Sequence, residues 1–337
     1  MNTKTIFGRN YSVAKTTVTL HNTGVNGSQW RKRSGTLLGT DGKRSAQSSG
    51  EASKRHGMTV SVLVPSSLVR EAEDKREATR KIGYVARAAT VFRADRLAVF
   101  PDGEGERRWG GGFVETVLRY AATPPYLRKE AWGTRPELEY AGILPPLRAP
   151  SQTGSESNDS GSSRQGIVTE VGSDGRVRVN CGMQHPITLR VPPERVVSEG
   201  ERVTVRIVSR HPVRARLVDE PSPAPTVERM NLETALADTS AGFRVATSRH
   251  GEPLTVSKLG SLVDRIRADG LTVAFGAPER GLAEILDISP PAGNEGDGGS
   301  TSGGFDLWLN AIPDQRSEVV RTEEAIIAVL ACLTLQE

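Results

Sequence analysis

Apolar residues in this chain fall into two rhythms. From Met58 the run 58–67, MTVSVLVPSS, has the β-branched, apolar character of a buried strand that stops at Pro65. Ser66 or Ser67 then offers a helix cap. The expected helix opens with a charged stretch over 70–81 and ends on a stripe of Ile82, Val85, Ala86 and Ala89. That is the i, i+3, i+4, i+7 spacing of a packed face, and Arg87 lies off it. A second strand over 97–100 ends at Pro101 and Asp102, and a helix is expected over 113–122. The alternation predicts an α/β domain.

Past residue 164 the rhythm shortens. Strands are expected over 166–171, 176–180, 187–191, 202–208 and 215–218, with turns at Ser173-Asp174-Gly175 and Glu199-Gly200. Five strands in so short a span suggest a small barrel. An oligonucleotide-binding (OB) type barrel is the natural candidate, and the pattern also suits an SH3-like or translation-factor-like barrel. The α/β rhythm then returns, with strands over 243–247, 271–275 and 305–310 and an amphipathic helix over 256–268. The final helix, with Ala325, Ile326, Ile327, Ala328, Val329, Leu330 and Ala331, is apolar all round. It has to be buried in the sheet or against another subunit.

Polar stretches divide these blocks. Residues 151–163 and 220–227 read as linkers, so an α/β domain over 58–150 and 228–337 is interrupted by a barrel at 164–220. Residues 1–57 hold ten Lys and Arg against Asp41 and Glu51, and they lack apolar periodicity. Such a segment cannot offset its ordering entropy by burial, so a disordered extension is expected, either a basic RNA-gripping arm or incidental to function. The rest of the chain carries 34 basic and 38 acidic residues. The net charge of +4 is therefore the sum of two unlike parts.

Some chemistry is excluded at this level. Cys181 and Cys332 are too few for a disulfide framework and sit in no metal-ligand spacing, so no metal is expected. No apolar run approaches the length of a membrane span, and the first residues carry no signal-peptide stretch, which points to the cytoplasm.

The motif FGAPERGL at 275–282 and the pair IPDQ at 312–315 and TEEA at 322–325 resemble the second and third motifs of the knotted SPOUT methyltransferases. The segments ARAATVF at 86–92, PPYLRK at 124–129, VNCGM at 179–183 and FDLWLNAIPDQ at 305–315 resemble the archaeal and eukaryotic branch with an inserted OB barrel. Members of that branch are regarded as RNA uridine N3-methyltransferases. The resemblance implies a trefoil-knotted α/β domain, S-adenosylmethionine as cofactor, RNA as partner (ribosomal rather than transfer RNA), and a homodimer.

It also implies a site. Cofactor contacts would come from three turns: Thr247, Ser248 and Gly251; Phe275, Gly276 and Gly281; and Asn310, Ile312, Pro313 and Gln315 running on to Thr322. Each alone is equally an ordinary strand-to-helix turn, but three at successive strand ends of one sheet favour a ligand site. Arg87 matches the Arg of the first motif and would stabilise charge on a deprotonated uridine, against the plainer reading of a solvated helix arginine. Glu279 and Glu323 would accept a proton or balance the sulfonium, although a carboxylate in a first helical turn also answers the helix dipole. Arg128, Lys129 and Asn180 would touch RNA, with a charged helix edge as the alternative for the first two. A non-catalytic RNA-binding ribosome-assembly factor on the same scaffold, or methylation of a different atom, is compatible with the same sequence.

Overall fold

The computed structural model describes residues 58–109, 111–149, 163–210, 212–220, 222, 224–288 and 302–335. The expectations for 1–57 and for most of the linker at 151–163 lie outside those residues.

One half of the fold is a six-stranded parallel sheet. Its strands are β1 (Val60–Pro65), β2 (Arg96–Phe100), β8 (Thr226–Arg229), β9 (Phe243–Pro253), β10 (Leu271–Ala274) and β11 (Leu307–Asn310), ordered β11-β9-β10-β1-β2-β8. The two faces are chosen by alternation along each strand. Val60, Val62 and Val64 of β1, with Leu97 and Val99 of β2, pack on α1 (Lys75–Val91), α2 (Gly111–Ala122) and α7 (Thr322–Leu333). Leu63, Ala98 and Phe100 face the other way, onto α4 (Leu232–Ala237) and α6 (Leu282–Ile285). Helix α5 (Val256–Asp269) adds Ile266 to the first face. Among the described residues no helix is long and apolar enough to cross a membrane.

The stripe Ile82, Val85, Ala86 and Ala89 is buried as its spacing predicts. The start of α1 is not where the serines suggested. Asp74 caps it, accepting from Glu77 N at 2.6 Å, while Ser66 and Ser67 are spent on Asp102 across the sheet. Residues 220–227 likewise end inside a strand. Thr226 and Val227 begin β8, an edge strand with exposed and half-buried positions and therefore without a buried strand's apolar run.

The other half is an antiparallel five-stranded sheet: β3 (Ser163–Val171), β4 (Arg176–Asn180), β5 (Ile187–Arg190), β6 (Arg202–Arg210) and β7 (Val213–Val218), ordered β5-β4-β3-β6-β7. Its two outer strands lie against each other, so the sheet nearly closes into a barrel. Val168, Val177, Val179, Ile187, Leu189, Val203 and Val205 fill it, and Cys181 is a small core residue there. Burial pushes the Cys181 thiol pKa up, which keeps it protonated and inert.

Candidate functional site

Three loops at the carboxyl ends of β9, β10 and β11 enclose a cavity of about 340 Å³, within the size range of small-molecule pockets. The first loop is an extrusion from a strand. In the β9–β11 ladder Trp308 pairs with Ala246 and the next residue, Leu309, pairs with Glu252. Residues 247–251 are thus pushed out of the ladder within one step of β11. Gly251 closes that excursion, because a Cβ there would stand 2.8 Å from the Trp308 and Leu309 backbone.

The second loop follows β10. Ala277 and Arg280 exchange backbone hydrogen bonds of 2.9 and 3.2 Å around Pro278 and Glu279. Proline fixes the first central position, and Glu279 takes φ +60°, the left-handed value that a type II turn requires at its second. A Cβ on Gly276 would meet Leu282 N at 2.8 Å and Arg280 O at 3.0 Å, so only glycine lets the loop fold back so closely.

The third loop, after β11, is tied to the other two. Asn310 Nδ2 donates to Arg249 O at 3.0 Å, and Asn310 Oδ1 accepts from Ile312 N at 3.0 Å. Thr322 Oγ1 donates to Gly276 O at 3.0 Å. The three walls are therefore tied to one another, and the cavity presents backbone groups with apolar surface from Ile312, Val319 and Val320.

Of the residues singled out from sequence, Thr247, Ser248, Phe275, Gly276, Glu279, Gly281, Asn310, Ile312, Gln315 and Thr322 line this cavity together. Gly251 stands behind its first wall, and Pro313 is exposed on the third loop. Arg87 is elsewhere: its guanidinium donates to Pro146 O at 3.0 Å and Leu147 O at 2.7 Å. Arg128 stacks 4.7 Å from the Tyr120 ring centroid and donates to Thr123 O and Ala121 O. Asn180 bonds to Glu130, while Lys129 is exposed.

One network at the cavity escaped the sequence reading. Arg280 lines the cavity and donates through Nε to Asp102 at 3.1 Å and through Nη1 to Glu284 at 3.0 Å. Asp102, 5% exposed, also accepts from Ser67 Oγ at 2.5 Å and Gly105 N at 3.2 Å. The end of β2 thereby holds the second loop. Nothing in the local pattern around Asp102 signals a partner 178 residues away; only the parallel pairing of β1 with β2 and β10 brings the two together.

Glu323 is buried in the first turn of α7, next to the cavity-lining Thr322. Burial raises its carboxyl pKa, opposed by a backbone hydrogen bond and by Arg321. A carboxyl whose folded-state pKa is raised holds its proton more tightly in the folded chain. Stability is then lost as pH climbs from the unfolded value, about 4.3, through the raised one. Glu323→Gln is expected to melt above the native protein near neutral pH and level with it in acid below that range. Thermal melts across pH check this, and a variant less stable than native at neutral pH would refute it.

A parallel sheet with a loop-walled cavity at its strand ends, interrupted by a small antiparallel barrel, defines an α/β protein with a β module between β2 and β8. The chain belongs to the family described as "putative RNA methyltransferase", whose model matches residues 59–333. It is 69% identical over 283 residues to an uncharacterised protein of Halobacterium salinarum, covering 83% of this chain and all of that protein. It is 65% identical over 281 residues to one of Haloarcula marismortui, with 83% and 100% covered. The human 28S rRNA (uridine-N(3))-methyltransferase is 29% identical over 307 residues, which cover 82% of this chain and 77% of that protein.

Proposed function

We propose that the protein is an S-adenosylmethionine-dependent methyltransferase acting on N3 of a uridine in ribosomal RNA, built on a trefoil-knotted SPOUT domain with an OB-like insertion. The observation that carries this reading is the three-loop cavity, in which Gly276 permits close backbone approach and Asn310 and Thr322 fix the walls. Backbone amides and carbonyls of such turns suit adenine and ribose, and Ile312, Val319 and Val320 supply apolar surface. The human relative's name supplies the atom and the RNA. In the barrel, the first strand pairs with the second and the fourth while the third approaches the fifth, which supports the OB reading.

The cofactor, when bound, supplies an activated methyl group, so the protein's task is alignment and charge management. A uridine losing its N3 proton gathers negative charge on its oxygens, and fixed donors in a dry site stabilise that charge. Glu279, exposed at the tip of its turn and one of three glutamates lining the cavity with Glu284 and Glu318, would take the proton. Arg87 does not line the cavity of its own chain, so a catalytic role for it requires a second copy.

Calorimetric titration with S-adenosylmethionine tests the pocket, and nucleoside mass spectrometry of ribosomal RNA from a deletion strain tests the product. Absence of cofactor binding would leave the non-catalytic scaffold instead.

The dimer rests on α7. Ile326, Val329, Leu330 and Leu333 are buried on the sheet, while Ile327 is 48% exposed on the opposite side, near the small residues Ala328 and Ala331. Leu330 is thus a monomer core residue, and Ile327 is the position that separates the readings. Ile327→Glu is expected to give a folded monomer whose self-association is weakened about thirtyfold or more, with methylation falling alongside. Sedimentation checks it; native protein that is monomeric at micromolar concentration and fully active would defeat the dimer.

A further inference from the structure

The parallel-sheet body and the barrel meet along a seam. Tyr126 Oη donates to the Gln165 carbonyl at 3.0 Å, Asn180 bonds to Glu130, and Arg202 donates to the Thr123 hydroxyl. Beside these contacts the seam opens into a second cleft of about 630 Å³, which shares no lining residue with the cavity of the three loops. Arg119 and Trp132 come from the body side of this cleft, Gln165 and Arg202 from the barrel side.

With one lining carboxylate, Glu130, bonded to Asn180, against Arg119 and Arg202, the cleft is left cationic. Among the described residues no carboxylate pairs with Arg202, and the partner of Arg119 is Glu115, one turn back on its own helix at 2.9 Å. Both residues are solvent-exposed, and they lie close enough for the charge of Arg119 to disfavour that of Arg202. Two guanidiniums that repel each other across a cleft are relieved by an anion. Trp132 is half-buried and held rigid by its Nε1 bond to Thr123 Oγ1 at 2.9 Å and by an edge contact with Tyr120, centroids 6.1 Å apart. The Arg135 guanidinium lies over one face of the indole, 5.2 Å from the ring centroid, which leaves the other face as a platform for a planar ring. Gln165 is 8% exposed, and its side-chain oxygen is buried without a hydrogen-bond partner. Such an acceptor lowers stability unless a donor reaches it.

We propose that this cleft binds one nucleotide of single-stranded RNA, with the phosphate between Arg119 and Arg202 and the base against Trp132, a base N–H reaching the Gln165 oxygen once that buried side chain turns toward the cleft. Two guanidiniums, a stacking surface and an unpaired acceptor together match a nucleotide; none of them alone would. The cleft then grips substrate RNA away from the reacting base. This rests on the RNA-methyltransferase reading above, since it takes the same RNA as ligand.

The test uses the full chain and a short fluorescein-labelled oligouridylate, followed by anisotropy as salt is varied. Trp132→Leu is expected to weaken binding on the order of tenfold or more. Arg202→Gln should lower the slope of log K against log salt by about 0.7, the loss of one single-strand phosphate contact. Gln165→Leu is the internal control for folding: removing an unpaired buried acceptor should leave the melting temperature equal or higher while RNA affinity falls. All three should keep native affinity for S-adenosylmethionine. Native protein that binds the RNA, with all three variants binding it equally well, would overturn the cleft and leave the enzyme reading standing. Native protein that binds neither RNA nor cofactor would overturn both.

Discussion

Gly276→Val should all but abolish cofactor binding. A side chain at this position meets backbone, with Leu282 N at 2.8 Å and Arg280 O and Gly281 C at 3.0 Å, so no rotamer change can make room. The second loop must swing outward, and the Thr322 bond to Gly276 O, which ties in the third wall, goes with it. A displacement of about 1 Å in a positioning loop costs on the order of a hundredfold. Calorimetry should detect little binding up to about ten times the native dissociation constant, and titration beyond that should give a dissociation constant raised about a hundredfold or more. Circular dichroism should still report a folded chain, because the sheet core at Leu271 and Val273 lies upstream of the change. A folded variant with near-native affinity would mean that the three loops are ordinary turns.

The second large effect is expected at Asp102. Asp102→Ala removes the carboxylate from a site where it is 5% exposed and leaves the Arg280 guanidinium with Glu284 and the exposed Glu104. Breaking a buried ion pair from one side costs about 3 kcal/mol or more, and Ser67 and Gly105 lose their acceptor as well. The urea midpoint should fall without a change in slope. Because Arg280 lines the cavity, cofactor affinity should fall with it. A variant as stable as native would show that Glu284 and Glu104 suffice to hold Arg280.

The sequence revealed what short-range periodicity governs. The stripe on α1 and the bounds of β4 are local patterns of burial, and they stand in the structure as written in the chain, whereas α7, apolar all round, leaves Ile327 exposed. The cap of α1 was misjudged because two serines compete with Asp74 for the role, and only the arrival of Asp102 decides the competition. The edge strand β8 has too little buried surface to leave a mark. For the site, the resemblance marked both the turn at 247–251 and FGAPERGL, but that the first turn is extruded from within β9 depends on a ladder shift against β11. Long-range register of that kind leaves no trace in a local window.

The parallel sheet has a consequence for the time course of folding. Its central ladder joins Val60 to Leu271, while every ladder of the barrel joins residues within 163–218. Closing the first requires a chain excursion about four times longer, and loop closure must be completed before its contacts stabilise anything. During synthesis at about 5–20 residues per second, the barrel has all its strands before β9, β10 and β11 exist. The barrel is then a finished knob on an unfinished body, and β1, whose six residues are all buried in the end, waits with one side of its backbone unpaired until the last third of the chain arrives.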